Sequence, residues 1–247
     1  MKLIILKIYR NIFKYILFNY NNSNMNNLYF LTVYAMIKIL IIIAIYPCLY
    51  FFINRYWNYL KYSQKIYIVS NLIKGGILCY LCLSYYHKFF GIFIKEQWDD
   101  LLYKKVAISY AATDFCSLFI VSKMALSTTI HHIVVVIFTA LIINQKIEFY
   151  TILYSIIVYG FFSSLSYIVN IYLATRFLFN KKINKQICKF AYYSYIILCT
   201  VNWSYQIQFI YSNLYSNFFN IMLYIGAIGF LVNDDITLIK FLKKNKN

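Results

Sequence analysis

The stretch that decides the fold runs from Thr128 to Ile143 and reads TTIHHIVVVIFTALII. Two adjacent histidines, His131 and His132, open a helical run in which every residue except Thr139 is apolar or alanine. Nothing in that run can solvate an imidazole, so the histidines lie at the edge of a bilayer or just inside it. Ionisable groups at that depth are costly and by default mark a functional site. The rest of the chain is therefore interpreted as a scaffold around this helix.

Composition restricts the protein to one class. The 247 residues are 62% hydrophobic, with six Gly and a single Pro, and the mean hydropathy is +0.63. Soluble domains are only about half apolar. We therefore predict an all-α, polytopic integral membrane protein with a single membrane domain.

The net charge of +17 would suggest nucleic acid in a soluble protein. Here the Lys and Arg residues fall mostly between apolar runs, where they meet lipid headgroups and set topology. We expect membrane lipids as partners and no nucleic acid.

Seven apolar segments are predicted to cross the membrane as helices ringed around a polar-lined cavity. The basic loops between them favour a cytosolic C-terminus. In this interpretation Asp234 and Asp235 follow the last span. The predicted spans are 28–53, 66–86, 106–121, a short span after Lys123 with the histidine pair, 149–173, 187–211 and 218–232.

The N-terminal 27 residues are predicted to lie outside this transmembrane domain of residues 28–247. Lys7, Arg10 and Lys14 share one side of a helix whose other side is apolar, a pattern typical of an interfacial helix. An Asn-rich linker at 21–27 follows. The six cysteines fall mostly in apolar runs, so we expect free thiols.

Ionisable residues inside the spans define the first part of a predicted site. Asp114 would need a partner in lipid, and Lys74 or the histidines are available. His131 and His132 point about 100° apart on a helix, so at most one is expected to face a given cavity squarely. Adjacent histidines lack the i, i+4 spacing of a helical zinc site. We therefore predict His131, His132 and Asp114 as catalytic residues, with no metal and no cofactor.

Uncharged polar residues extend the predicted site. Ser163, Ser166 and Asn170 share one face of the fifth span, and Asn202 and Gln206 share one face of the sixth. Ser163, Asn170, Asn202 and Gln206, with Lys74, are the predicted lipid-binding residues. The alternative is that such groups only hold helices together.

Two short motifs resemble the TLC domain. They are Tyr110-Ala111-Ala112-Thr113-Asp114 and His131-His132-Ile133-Val134. That superfamily includes the ceramide synthases, the translocating-chain-associating membrane proteins and smaller TLC domain-containing proteins. The resemblance implies a multi-pass protein of the endoplasmic reticulum whose helices surround a lipid-accessible cavity.

The same resemblance bears on activity. In ceramide synthases the histidine pair is required for joining a fatty acyl group from acyl-CoA to a sphingoid amine, and two aspartates follow on the next helix. The corresponding stretch here, Val158–Leu165, reads VYGFFSSL and has no acidic residue. The chain therefore resembles the smaller TLC proteins more closely, which are linked to membrane lipid composition.

Three functions follow from these patterns. The first is lipid binding that influences membrane lipid composition or homeostasis. The second is acyl-CoA-dependent N-acyl transfer, with one histidine as general base and Asp114 orienting it. The third is transport, against which we count the lack of an inverted repeat and of a broken-helix pair.

Overall fold

Helices account for the regular structure of the part of the chain that the computed structural model describes, residues 22–89, 98–215 and 218–246. No strand occurs in these ranges, so the predicted all-α class is confirmed. The helices are α1 Asn22–Tyr56, α2 Tyr62–Phe89, α3 Asp100–Ile120, α4 Leu126–Asn144, α5 Ile152–Leu165, α6 Tyr167–Thr175, α7 Lys181–Asn213 and α8 Phe218–Asn245.

Fewer helices than the seven predicted have the length and composition of a membrane span. Among the described residues α1, α2, α4 and α8 qualify, and α5 with α6 counts as a fifth if the bent pair is one span. Helix α3 does not qualify as a membrane span, because Lys104, Lys105 and Asp114 leave no sufficiently long stretch of it with few charges. Helix α7 fails because Asn202, Gln206 and several tyrosines lower its mean hydropathy.

The helices form a ring. Going around it, α2 packs on α3, α3 on α4, α4 on α8, α8 on α7, α7 on α6, and α6 returns to α2. Helix α5 packs against α2, α3, α4 and α7. Helix α1 lies outside, mainly against α2 and α3, and only 11% of its apolar window is buried. Because of this ring, the walls of the site come from four or more separate segments of sequence.

The largest apolar core lies where α5 meets α3, α4 and α8. Val158 is completely buried there, and Tyr103, Ile142 and Tyr224 come from the surrounding helices. The six cysteines are all free, as predicted.

The fifth predicted span is broken at Ser166. Helices α5 and α6 meet at 42°. The Ser164 hydroxyl donates to the Gly160 carbonyl at 2.8 Å, and the Ser166 hydroxyl donates to the Ser163 carbonyl at 2.6 Å. Serine hydroxyls that bond back to the helix carbonyls bend helices. The sequence-based expectation that no helix is broken is therefore wrong for this span.

Two boundaries differ from the predicted ones in ways that matter. Helix α1 begins at Asn22, so residues 22–27 are helical and are not a linker; the predicted interfacial helix at 1–20 lies outside the described residues. Helix α8 continues from Val232 to Asn245. Asp234 and Asp235 are consequently part of a helix that packs in the ring.

Gly75 permits a close approach of α2 to α6. A Cβ atom at this position would lie 3.2 Å from Cγ1 of Ile171 and 3.4 Å from Cβ of Asn170, whereas one at Gly76 would meet nothing within 4 Å. Small residues allow such close helix pairs in membranes. Gly75 thereby holds α6, with Asn170, against the helix that carries Lys74.

Candidate functional site

A buried carboxylate joins three helices at the centre of the ring. The Asp114 side chain on α3 has no solvent exposure, and its Oδ1 contacts both the Lys74 ammonium on α2 and Nδ1 of His132 on α4, the latter at 3.0 Å. A buried carboxylate is tolerated when it is paired in this way. The predicted pairing of Asp114 is confirmed for Lys74 and for one of the two histidines, His132.

The second histidine has its own carboxylate. Nδ1 of His131 lies 3.3 Å from Oδ2 of Asp234, and Thr128 Oγ1 donates to Oδ1 of the same residue at 3.0 Å. The two imidazole rings lie 5.7 Å apart and nearly perpendicular. Each imidazole is therefore positioned by a different acid, from α3 in one case and from α8 in the other.

Sequence reasoning missed Asp234 because the last span was ended at Val232. A signal was present: no Gly or Pro follows Gly229, so nothing interrupts the helix before the Asp234-Asp235 pair.

Several polar atoms of this cluster make no aligned hydrogen bond among the described residues. They are Oδ2 of Asp114 and the Nδ1 atoms of His131 and His132, all buried. The two histidine–carboxylate contacts are thus close electrostatic contacts without hydrogen-bond geometry. Buried polar groups normally have partners, so the hydrogen bonding of these three atoms is incomplete.

The geometry also bears on metal binding. Ligand atoms of Asp114, His131 and His132 all lie within 4.8 Å of one another, which is compatible with a metal ion. However, the Lys74 ammonium contacts the same Asp114 oxygen as His132. A divalent cation would meet that positive charge, so we retain the absence of metal as a prediction.

Two cavities adjoin the cluster. The larger, with a volume of about 430 Å³, is polar, and its walls include Lys74, Asp234 and both histidines. The smaller, about 60 Å³, has mainly apolar walls, with Val135, Phe138, Ile156 and Leu231 among them. Tyr110, His131 and Ser163 line both cavities. His131 therefore stands where a polar space meets an apolar one.

The predicted site residues divide into two groups. Lys74, Ser163 and Asn170 line the polar cavity, as do both His131 and His132. Both histidines line this cavity, and the expectation that at most one of them faces it squarely stays a prediction. The lining also includes Ser166, so the predicted polar face of the fifth span is turned inward.

Asn202 and Gln206 belong to the second group, because neither lines these cavities. Gln206 Nε2 donates to Asn202 Oδ1 at 3.2 Å, and its Oε1 accepts from Ser155 Oγ at 2.7 Å and from the Tyr224 hydroxyl at 2.5 Å. This buried network joins α7 to α5 and α8. The geometry favours the alternative that these two residues hold helices together.

Asp235 fixes the wall of the polar cavity. Its carboxylate is buried and accepts hydrogen bonds from the hydroxyls of Tyr159 at 2.5 Å and Tyr195 at 2.6 Å, and from Nε1 of Trp203 at 3.3 Å. These bonds tie α8 to α5 and α7. They also set the position of the neighbouring Asp234 against His131.

No protein-family model, curated protein or solved structure matched this chain.

Proposed function

We propose that the chain is a multi-pass membrane protein of the TLC type with seven spans, and that it resides in the endoplasmic reticulum. The contact between Asp114 and His132 supports the resemblance, because it joins the two sequence motifs that carry it. Helix α7 also supports the span count. Phe190, Ile197 and Ile207 are exposed on it, while Asn202 and Gln206 are buried, as expected of a helix with lipid outside and protein inside.

The proposed function is binding of an amphiphilic membrane lipid, with an influence on membrane lipid composition. One observation carries it: His131 lies at the junction of the apolar and the polar cavity. A lipid that enters with part of its hydrocarbon in the apolar cavity would place its polar groups beside His131, His132 and Lys74.

Narrowing the apolar cavity tests this function. Gly160 lines it, and a Cβ atom there meets nothing within 4 Å, so Gly160→Leu adds volume without a backbone clash. Gly226 is also open, but it lies on the exposed side of α8, and Gly226→Leu is the matched control. Lipid retained after purification, quantified by mass spectrometry, should fall several-fold in the first variant only. Equal retention in both variants and the wild type would reject binding in this cavity.

A second candidate function is acyl-CoA-dependent N-acyl transfer, for which sphingolipid synthesis is the model. The paired histidines favour it, because a carboxylate at Nδ1 orients an imidazole as a general base. The segment Val158–Leu165 has no acidic residue, but Asp114 and Asp234 supply a carboxylate beside each histidine from other helices.

In this reaction a sphingoid amine attacks the thioester carbonyl. His131, with Asp234 at its Nδ1, accepts the amine proton as the N–C bond forms. The C–S bond then breaks, and the departing thiolate takes that proton from the imidazolium. The products are an N-acyl amide and free CoA.

The assay supplies purified protein in nanodiscs with a sphingoid base and an acyl-CoA, and follows the amide by mass spectrometry. We expect product from the wild type and none from the His131→Ala, His132→Ala double variant. No product from wild-type protein that still retains lipid would reject acyl transfer and leave lipid binding in place.

A further inference from the structure

A third cavity lies where α6, α7 and the C-terminal part of α8 meet. Its volume is about 600 Å³, and its walls carry three basic side chains, Arg176, Lys181 and Lys185, with no Asp or Glu among the described lining residues. Lys181 and Lys185 are one turn apart at the start of α7. Like charges at that spacing repel, so an anion between them would be stabilising.

Arg176 is the anchor of this cavity. Its guanidinium carbon lies 5.0 Å from the ring centroid of Tyr67, 4.6 Å from that of Phe177 and 4.9 Å from that of Phe241. The rings hold the guanidinium plane in place. Its Nε is buried without a hydrogen-bond partner, and no described carboxylate forms an ion pair with it. An arginine that is oriented by aromatic rings and forms no described ion pair is suited to a phosphate group.

The three cavities are neighbours that share wall residues. Arg176 and Phe241 line both the basic cavity and the polar one. The polar cavity in turn shares His131 with the apolar one. The order is therefore a basic cavity, a cavity with both polar and charged walls, and then an apolar one. A phospholipid has the matching order of phosphate, ester linkages and acyl chain.

We propose that Arg176, Lys181 and Lys185 bind the phosphate group of a lipid whose remaining length occupies the polar and apolar cavities. The inference rests on the lipid binding proposed above and adds the chemistry of the head group. Sequence analysis expected the basic residues between apolar runs to meet lipid headgroups and set topology, without assigning them a binding site. Inorganic phosphate has the same chemistry, so the experiment includes it as a separate probe.

The experiment compares two lipids that differ only in the phosphate. Purified protein in a neutral detergent is exchanged with phosphatidic acid or with diacylglycerol of the same chains, and bound lipid is quantified by mass spectrometry. We expect the wild type to prefer phosphatidic acid by about tenfold, which is the effect of at least one charge-assisted hydrogen bond. Arg176→Gln should remove the preference.

The neighbouring lysines supply a second variant and its control. Lys181→Gln with Lys185→Gln alters exposed side chains and should lower the preference even if Arg176→Gln fails to fold. Lys182 is exposed on the same turn but does not line the cavity, so Lys182→Gln should retain the full preference. Equal loss in the double variant and the control would overturn the site, since only total charge would then matter.

The remaining outcomes separate the two proposals. Equal retention of both lipids by the wild type overturns the phosphate site and leaves lipid binding standing. If neither lipid binds, the proposed function fails. Saturable stabilisation of the wild type by inorganic phosphate, lost in Arg176→Gln, would then assign the site to a free anion, and the absence of that stabilisation would overturn the phosphate site too.

Discussion

Oδ2 of Asp234 lies 3.3 Å from Nδ1 of His131, a contact between the last helix of the chain and the helix that carries the histidine pair. Asp114 contacts His132, so with this contact each imidazole has a carboxylate beside it. The two acids come from α3 and α8, so neither histidine depends on the helix that follows it in sequence.

Replacing Asp234 tests this contact. In Asp234→Ala, Nδ1 of His131 and the Thr128 hydroxyl lose the partner that α8 supplies. The contact is partly exposed, so we expect a loss of about 1–2 kcal/mol, between the values for surface and buried pairs. A lower thermal midpoint in detergent and reduced lipid retention would show it. Asn233→Ala, at the preceding position on α8, is the control and should change neither; unchanged lipid retention in Asp234→Ala would contradict a role for the contact in the site.

The Lys74–Asp114 pair should behave as a coupled unit. Removal of either charge leaves the other buried and unpaired, which costs about 3–5 kcal/mol. The double variant Lys74→Met, Asp114→Leu leaves neither charge, so it should be less destabilised than the sum of the two single variants. A double-mutant cycle of unfolding free energies measures the coupling. Additive effects would show that the pair does not interact.

The Lys74–Asp114 pair could be predicted from the sequence, because a buried charge needs a partner and the predicted spans contain few other ionisable residues. The helix that carries the histidines was predicted from its uninterrupted apolar run. The inward face of Ser163, Ser166 and Asn170 was predicted from their spacing on one side of a helix. Asp234 was missed for another reason. Hydropathy ends a span where charge begins, whereas a helix continues until its backbone is interrupted. The break at Ser166 depends on hydroxyl rotamers that bond back to carbonyls, and residue spacing does not encode those.

The positive charge of Lys74 should prevent the cluster of Asp114 and the two histidines from binding a metal ion. Because the Lys74 ammonium contacts Asp114, we expect wild-type protein purified without chelators to hold no stoichiometric metal by elemental analysis. Zinc that survives dialysis in the wild type and is lost in His131→Ala, His132→Ala would show that the cluster of Asp114 and the histidines is a metal site instead.

Gly75 and Gly76 form a matched pair for the packing of α2 on α6. In Gly75→Leu the new Cβ lies 3.2 Å from Ile171 Cγ1 and 3.4 Å from the Ile171 backbone nitrogen, so Ile171 must give way and we expect α6 to be displaced. Overpacking of this kind costs about 1–3 kcal/mol. Gly76→Leu points into open space and should leave the thermal midpoint unchanged. Because α6 carries Asn170, the first variant should also lower lipid retention; equal behaviour of the two variants would exclude the close approach.

Asp235 links stability of the bundle to the site. Its carboxylate accepts three hydrogen bonds, from Tyr159, Tyr195 and Trp203. The amide in Asp235→Asn has one oxygen acceptor and two N–H donors, so at least one hydroxyl loses its acceptor and a new donor is buried. Each unsatisfied buried group costs about 1–3 kcal/mol. Tyr195→Phe removes one donor and leaves the carboxylate, so its loss of unfolding free energy should be the smaller.

The two variants should also differ at the histidines. Loss of part of this hydrogen-bond set should let α8 shift relative to α5 and α7, which would move Asp234 away from His131. Asp235→Asn should therefore lower lipid retention more than Tyr195→Phe does, at temperatures where both remain folded. Lipid retention that falls only when the fold is lost would mean that Asp235 stabilises the bundle without positioning Asp234.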